Sequence, residues 1–348
     1  MTIAENLRNA CRGLGLAGAA FVLSTGLCHA ATTRLLVYTG LENEQLAPYK
    51  KAFEADNPDI EIRWVKDSNG VITAKLLAEK NNPQADVVWG VAASSLLLLA
   101  RQDLLLPYAP KGLDQLKPAF RDRNNPPAWV GMDAWMAAIC FNTVEAKQKG
   151  LPRPASWADL ALPIYKGQIV MPSPASSGTG FLAVSGWLQM MGDGAGWNYM
   201  DKLNENIASY IHSGSKPCKM AASGEYPIGI SMEYAGAQQK NEGAPIDIIL
   251  PREGTGWEIE ATAIIKGGHN LDAAKRLADW AASKKASDLY AAFYAITAFP
   301  GGTKHMTNYP DDAEARMLPN NDFVWAAQNR DAILTKWSER YQGKTEAK

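Results

Sequence analysis

The chain has 348 residues, 47% of them apolar and 20% charged, and Lys+Arg 35 against Asp+Glu 36 leaves a formal net charge of −1. That length exceeds one small core and calls for two lobes of ordinary domain size. The balanced charge offers no basic field for a polyanion, so nucleic acid is excluded as a partner, and Gly 29 with Pro 20 excludes collagen-like or low-complexity sequence.

At the start, Arg8 and Arg12 precede the apolar run Leu14–Leu23, which is too short for a stable membrane anchor. Cys28-His29-Ala30 follows with small or modest residues where a signal peptidase reads, so residues 1–30 are expected to be a signal peptide cleaved after Ala30. Lipidation at Cys28 is the alternative and fits less well, because Leu27 directly precedes it. The mature protein is expected to be exported to the periplasm and soluble. Cys140 and Cys218 remain after cleavage; an oxidising compartment permits them to pair, and two small buried thiols explain them equally well. The remaining histidines, His212, His269 and His305, lack metal-ligand spacing, so a zinc site is not expected.

Arg34–Thr39 reads as a short strand ending in the polar loop Gly40–Glu44, after which Leu46, Tyr49 and Phe53 recur at helical spacing until Asn57-Pro58. Ile60–Val65 alternates as a strand, Val71–Lys80 is helical, Asp86–Trp89 is a buried strand and Ala92–Arg101 another helix. Strands alternating with helices at this spacing imply βαβ units and a parallel sheet. Ligands in such sheets bind at the loops following strand carboxyl ends, which places Tyr38, Thr39 and Glu42, together with Trp89–Ser95, along one cleft wall. Further strands are expected at Trp135–Asn142, Gly167–Met171, Tyr226–Ser231 and Ala261–Ile265, with helices over Phe181–Met191 and Leu271–Ser283. No repeat or long linker interrupts the chain, which fits two α/β lobes joined by short crossing strands.

The sharpest local feature is Ser176-Ser-Gly-Thr-Gly180 between a strand and a helix. Hydroxyls and glycines at a helix start expose backbone N–H groups, and the helix dipole adds positive potential, so the loop suits a phosphate, phosphonate, sulfate or carboxylate without a lysine. An ordinary N-cap with a tight turn explains the same residues. It is neither a P-loop nor a dinucleotide fingerprint. His212-Ser-Gly-Ser-Lys216 could donate to the same anion, or be a surface turn. Rim carboxylates are Glu42, Asp133, Glu233, Glu258 and Glu260, near Tyr38, Trp89, Trp135, Tyr234 and Trp257; carboxylates beside aromatic faces suit an ammonium group. No nucleophile elbow, His-Glu-x-x-His or His–nucleophile pairing is present in local sequence, so no catalytic residue is nominated.

Val37–Gly40, Ala85–Trp89, the Ser-Gly-Thr-Gly loop and Ala261–Gly267, together with Asp67–Glu79, Trp129–Trp135, Ser213–Lys219 and Gly256–Thr262, resemble a periplasmic solute-binding protein of an ABC importer. The resemblance is to the ferric-, thiamine- and polyamine-binding group, nearest its 2-aminoethylphosphonate branch, and runs from about Thr33 to Tyr341. It implies a two-lobed α/β fold of type II, each lobe a mostly parallel sheet flanked by helices, with the ligand in the interlobe cleft and closure by a hinge. The expected lobes are 31–134 with about 261–305, and 135–260, while 306–348 packs on the second lobe or across the hinge. Ferric relatives carry adjacent tyrosines where this chain has Tyr234-Ala235, and the first and second loops offer Glu42 and Gly90–Ala93, so an iron site is not expected.

The resemblance implies a short zwitterion, 2-aminoethylphosphonate, as the small-molecule partner. Its phosphonate would take donors from Ser176, Ser177, Gly178, Thr179 and Ser215, and its ammonium would take Glu42 and Asp133, with Tyr38 or Trp89 closing over it. An ABC permease is the implied protein partner, the chain acting as a monomer with no cofactor and no catalysis. The alternatives are another organophosphonate, a phosphate ester or a polyamine, and, in a different class, a periplasmic phosphate-ester hydrolase.

Overall fold

The computed structural model describes residues 32–301 and 306–347; the expected signal peptide and His305 lie outside them. In chain order the elements are β1 (Thr33–Thr39), α1 (Asn43–Asp56), β2 (Ile60–Lys66), α2 (Asn69–Ala78), β3 (Val87–Ala92), α3 (Ala93–Arg101), β4 (Leu105–Leu106), β5 (Val130–Asn142), α4 (Thr143–Gln148), β6 (Ile169–Pro172), α5 (Gly178–Met191) and α6 (Asp193–Asn206). They continue with β7 (Ile207–Ile211), α7 (Lys216–Ala222), β8 (Ile228–Met232), α8 (Glu233–Asn241), β9 (Ile246–Ile249), β10 (Trp257–Ile265), α9 (Leu271–Ala281), α10 (Lys284–Tyr290), β11 (Ile296–Thr297), α11 (Ala313–Arg316) and α12 (Phe323–Tyr341).

The main strands run in the spatial order β2-β1-β3-β10-β5-β8-β6-β7. Pairing is parallel at β1–β2, β1–β3, β6–β7 and β6–β8, as the alternation of strands and helices leads one to expect. It is antiparallel wherever β5 or β10 takes part, so the sheet is mixed. The reason is topological: these two strands carry the chain between halves rather than through a βαβ crossover. They are long, not short: β5 has 13 residues, all buried, pairing with β10 through Val130–Met136 and with β8 through Ala137–Phe141.

Strand alternation divides the first half into two packed layers. Val37 and Trp89 face Tyr49, Phe53, Leu277 and Tyr290 on one side, whereas Tyr38 and Val88 face Ile72, Leu96 and Leu99 on the other. In the second half Ile139, Trp157, Trp187 and Ile230 form one core, joined by Ala326, Ile333, Trp337 and Tyr341 of α12. That helix also lies against α3 of the first half. Cys140 on β5 and Cys218 on α7 form a disulfide, which resolves the two readings of these residues.

Two helix boundaries differ from the sequence reading in a way that matters for function. The helix expected from Phe181 begins at Gly178, because Ser177 is its N-cap and accepts from Gly180 N at 3.2 Å. The helix expected from Val71 begins at Asn69, after Ser68. Both polar loops are therefore first turns of helices.

Candidate ligand-binding site

A small pocket lies between the halves, lined by Gly40, Glu42, Ser68, Asn69, Trp135, Ser177, Gly178, Thr179, Gly214, Met232 and Glu260. Gly40 and Glu42 come from the loop after β1, and Ser68 and Asn69 from the turn after β2 that opens α2; Ser177 caps α5, which Gly178 and Thr179 open, Gly214 precedes α7, and Met232 ends β8. Trp135 and Glu260 lie on β5 and β10, the strands shared by both halves.

The α5 end is built of main chain. Among the described residues the N–H groups of Gly178 and Thr179 have no protein acceptor, while Ser177 Oγ takes up Gly180 N. Free N–H groups at the first turn of a 14-residue helix form an anion site, reinforced by the dipole. The first turn of α2 faces it. Gly70 N donates to Ser176 O at 2.9 Å across the cleft, and Asn69 Oδ1 accepts from Ala92 N at 2.9 Å. Asn69 Nδ2 is left between Gly40 and Gly178: a Cβ on Gly40 would stand 2.6 Å from it, and one on Gly178 2.8 Å from Asn69 Cβ. Glycine at both positions is what lets the two helix ends approach.

Further bonds hold the halves together around the pocket. Ser215 Oγ donates to Glu42 Oε2 at 3.0 Å, Gln238 Nε2 donates to Glu44 Oε1 at 2.6 Å, and His212 Nε2 stands 3.3 Å from Asp67 Oδ1. These three contacts bridge the cleft.

The carboxyl groups facing the cleft are uncommonly desolvated. Burial pushes the Glu42 carboxyl above its ordinary value, against the opposing pull of Lys66 and Lys219. Burial also raises Glu233 to about 7 and Glu260 to about 8, the latter helped by the neighbouring Glu42 charge. Asp133, wholly buried, is raised well above the usual carboxylate range by burial and then by Glu260. Glu233 is held by Met136 N at 2.9 Å and by the Tyr309 hydroxyl.

The structure brings together Glu42, Ser177, Gly178 and Thr179 at one pocket. The other ligand contacts named from the sequence lie elsewhere. Tyr38 turns away from the cleft into the α2 layer, where its hydroxyl donates to Glu79 Oε2 at 3.0 Å and Lys75 lies over its ring. Trp89 points to the opposite layer, stacks on Tyr49 and donates to Tyr290 Oη at 3.1 Å. Neither ring closes over the pocket, because strand alternation sends both into cores. Thr39 is a loop anchor: its hydroxyl donates to Trp89 O at 2.6 Å and accepts from Leu41 N. Ser176 Oγ donates to His212 O at 2.9 Å, and the Ser215 hydroxyl serves Glu42, so neither points to an anion here. Asp133 is 0% exposed and lies behind Glu260 rather than on the pocket surface. Tyr234 is buried against Tyr294 and Phe293 beside the site. Among the described residues no three His, Cys, Asp or Glu side chains gather for a metal.

Ser68, Asn69, Gly40, Gly214 and Met232 are pocket residues the site reading did not include. A signal existed for two of them: Asp67-Ser-Asn-Gly70 is a run of turn and N-cap residues after a strand.

Two half-sheets sharing long crossing strands, with a polar pocket where helix N-termini from both halves meet, define a type II solute-binding protein. Residues 82–330 match the family described as bacterial extracellular solute-binding protein, and the chain belongs to that family. Among solved structures, the periplasmic binding protein AfuA from Actinobacillus pleuropneumoniae, with exogenous fructose-6-phosphate bound, is 30% identical and superposes with a TM-score of 0.82, covering 89% of this chain and 99% of that one. A probable ABC transporter periplasmic-binding protein of Sinorhizobium fredii is 28% identical over 240 residues, 67% of this chain and 65% of that protein. A putative 2-aminoethylphosphonate-binding periplasmic protein of Salmonella typhimurium is 25% identical over 256 residues, 71% of this chain and 72% of that protein. The family is one of solute-binding proteins, and these relatives and structural neighbours are periplasmic binding proteins.

Proposed function

We propose that the chain, as a monomer, captures a small phosphorylated solute of the sugar-phosphate class in this pocket and delivers it to an ABC permease. The observation carrying this reading is the pair of free N–H groups at Gly178 and Thr179, facing Asn69 across the cleft. Main-chain donors at a helix start suit a phosphoryl oxygen and need no lysine. The likeness to AfuA over most of both chains supports a phosphate ester.

A second reading, 2-aminoethylphosphonate, has its own support in Glu42, whose buried carboxylate would be stabilised by an ammonium group. The two readings share the anion end and differ at the other. In either case residues 31–134 with 261–305, and 135–260, act as lobes that close through Glu42–Ser215 and Gly70–Ser176.

Calorimetric titration of residues 31–348 with fructose 6-phosphate, 2-aminoethylphosphonate, inorganic phosphate and putrescine tests the proposal. Micromolar or tighter binding of fructose 6-phosphate, with putrescine silent, is expected. Preference for 2-aminoethylphosphonate would move the assignment to the second reading, and binding of putrescine alone would remove the anion end. Sustained turnover of a chromogenic phosphate ester with divalent metal would point instead to a hydrolase.

A further inference from the structure

Behind the pocket, β5 and β10 present four polar side chains on one face. Asp133 stands opposite Glu260 in the ladder, and Trp135 opposite Glu258. Two like charges opposed in this way repel unless a proton lies between them. No protein donor reaches either oxygen of Asp133 or Oε2 of Glu260, and the two side chains stand opposite each other in a buried ladder. Two acids so placed cannot readily ionise together, so at least one keeps its proton at neutral pH. Trp135 is 2% exposed and lines the pocket, and its Nε1–H also has no acceptor. An orphaned buried donor and an orphaned buried acceptor therefore belong to two side chains that line the same cavity.

We propose that Trp135 and Glu260 form a subsite for one hydroxyl group at the ligand's non-phosphate end. The indole N–H donates to the hydroxyl oxygen and the hydroxyl donates to Glu260 Oε2, so both orphaned atoms are satisfied by one group. An ammonium has donors only; it leaves the indole N–H unpaired, a cost of the kind that lets polar sites reject analogues. The subsite thus separates a hydroxylated phosphate ester from a zwitterionic aminophosphonate. This inference rests on the phosphoryl-solute reading.

The groups that act most strongly on the pair are acids and phenols. Glu42 faces Glu260 from the β1–α1 loop, Glu233 and Tyr234 approach from α8, Tyr49 from α1, Tyr290 from α10, and Tyr294 and Tyr309 from the segments after it. Lys66 and Lys219 act on Glu42 instead. Losing a proton from the pair adds negative charge near a bound phosphate dianion. Affinity for the ester must then fall as pH rises through the titration of the pair, which for Glu260 lies at about 8. Above pH 7 the phosphate itself is already close to fully ionised, so its own titration does not obscure the effect.

The test uses fructose 6-phosphate and ethyl phosphate, which has no hydroxyl group beyond its phosphate, on the wild type, Trp135→Phe and Glu260→Gln from pH 7 to 9. Wild-type affinity for fructose 6-phosphate should fall about tenfold across that range. In Glu260→Gln, whose amide both donates and accepts, it should stay within about threefold. Trp135→Phe should lose about tenfold for fructose 6-phosphate and stay within twofold for ethyl phosphate. Equal losses for both ligands in Trp135→Phe, or a flat wild-type profile, would overturn the subsite alone. No binding of either ester to the wild type would overturn the phosphoryl reading and the subsite together. Should Trp135→Phe fail to fold, the pH profile of Glu260→Gln decides by itself.

Discussion

At one wall of the pocket the donors are main-chain N–H groups of Gly178 and Thr179, fixed by helix geometry and approached closely by Asn69. At the other the polar atoms belong to the side chains of Trp135 and Glu260, set in strands and left without partners. Both walls leave polar atoms without a protein partner, but the first holds them in helix backbone and the second on side chains. The first is therefore sensitive to added bulk and indifferent to many side-chain identities, whereas the second is sensitive to isosteric changes of hydrogen-bonding character and to protonation.

The protonation of the second wall gives the largest expected effect. Glu233 and Glu258 are raised to about 7 and Glu260 to about 8 in the fold, chiefly by burial. Between the ordinary carboxylate range and pH 8 the folded chain holds more protons than the unfolded chain, so stability must decline as pH rises through that window. Ligand-free protein should melt at a lower temperature at pH 8.5 than at pH 5.5. Glu258→Gln should recover part of the loss, roughly 3 kcal/mol at most for one such group. A melting temperature that climbs with pH over this interval would show that the carboxyls are ionised in the fold.

Bulk is the way to break the first wall. A Cβ on Gly178 would stand 2.8 Å from Asn69 Cβ, and one on Gly70 2.6 Å from Ser176 O. Gly178→Val should cost about 1–3 kcal/mol of binding, tenfold to over a hundredfold, by holding the two helix ends apart. Titration with fructose 6-phosphate reads the loss, and an unaltered affinity would remove α5 from the site. Asn69→Ala should cost about 1–2 kcal/mol, because it removes Nδ2 from the pocket and the acceptor for Ala92 N. Smallest of all, Ser176→Ala should change binding less than about twofold, since its hydroxyl serves His212 O. A large effect there would mean that the loop rearranges when ligand enters.

How much of this the sequence discloses follows from which interactions are local. Ser177-Gly-Thr179 is legible because hydroxyl and glycine residues between a strand and a helix mark an N-terminus, whatever the rest of the chain does. The βαβ order of the first half is legible for the same reason. Asn69 is not, because its role depends on Gly178 approaching from another part of the chain. Tyr38 and Trp89 sit at strand ends where ligands usually bind, but β3 is buried throughout and its uninterrupted apolar run does not tell which side faces the cleft. The α12 helix escapes for a different reason: Ile333, Trp337 and Tyr341 recur at helical spacing among charged residues, and only packing against the second core shows that they face inward.

The disulfide between Cys140 and Cys218 fastens α7, and with it the Ser215 clasp, to the strand that both halves share. Reduction of that one bond cuts the covalent tie between the helix that follows the clasp and the strand that spans both halves.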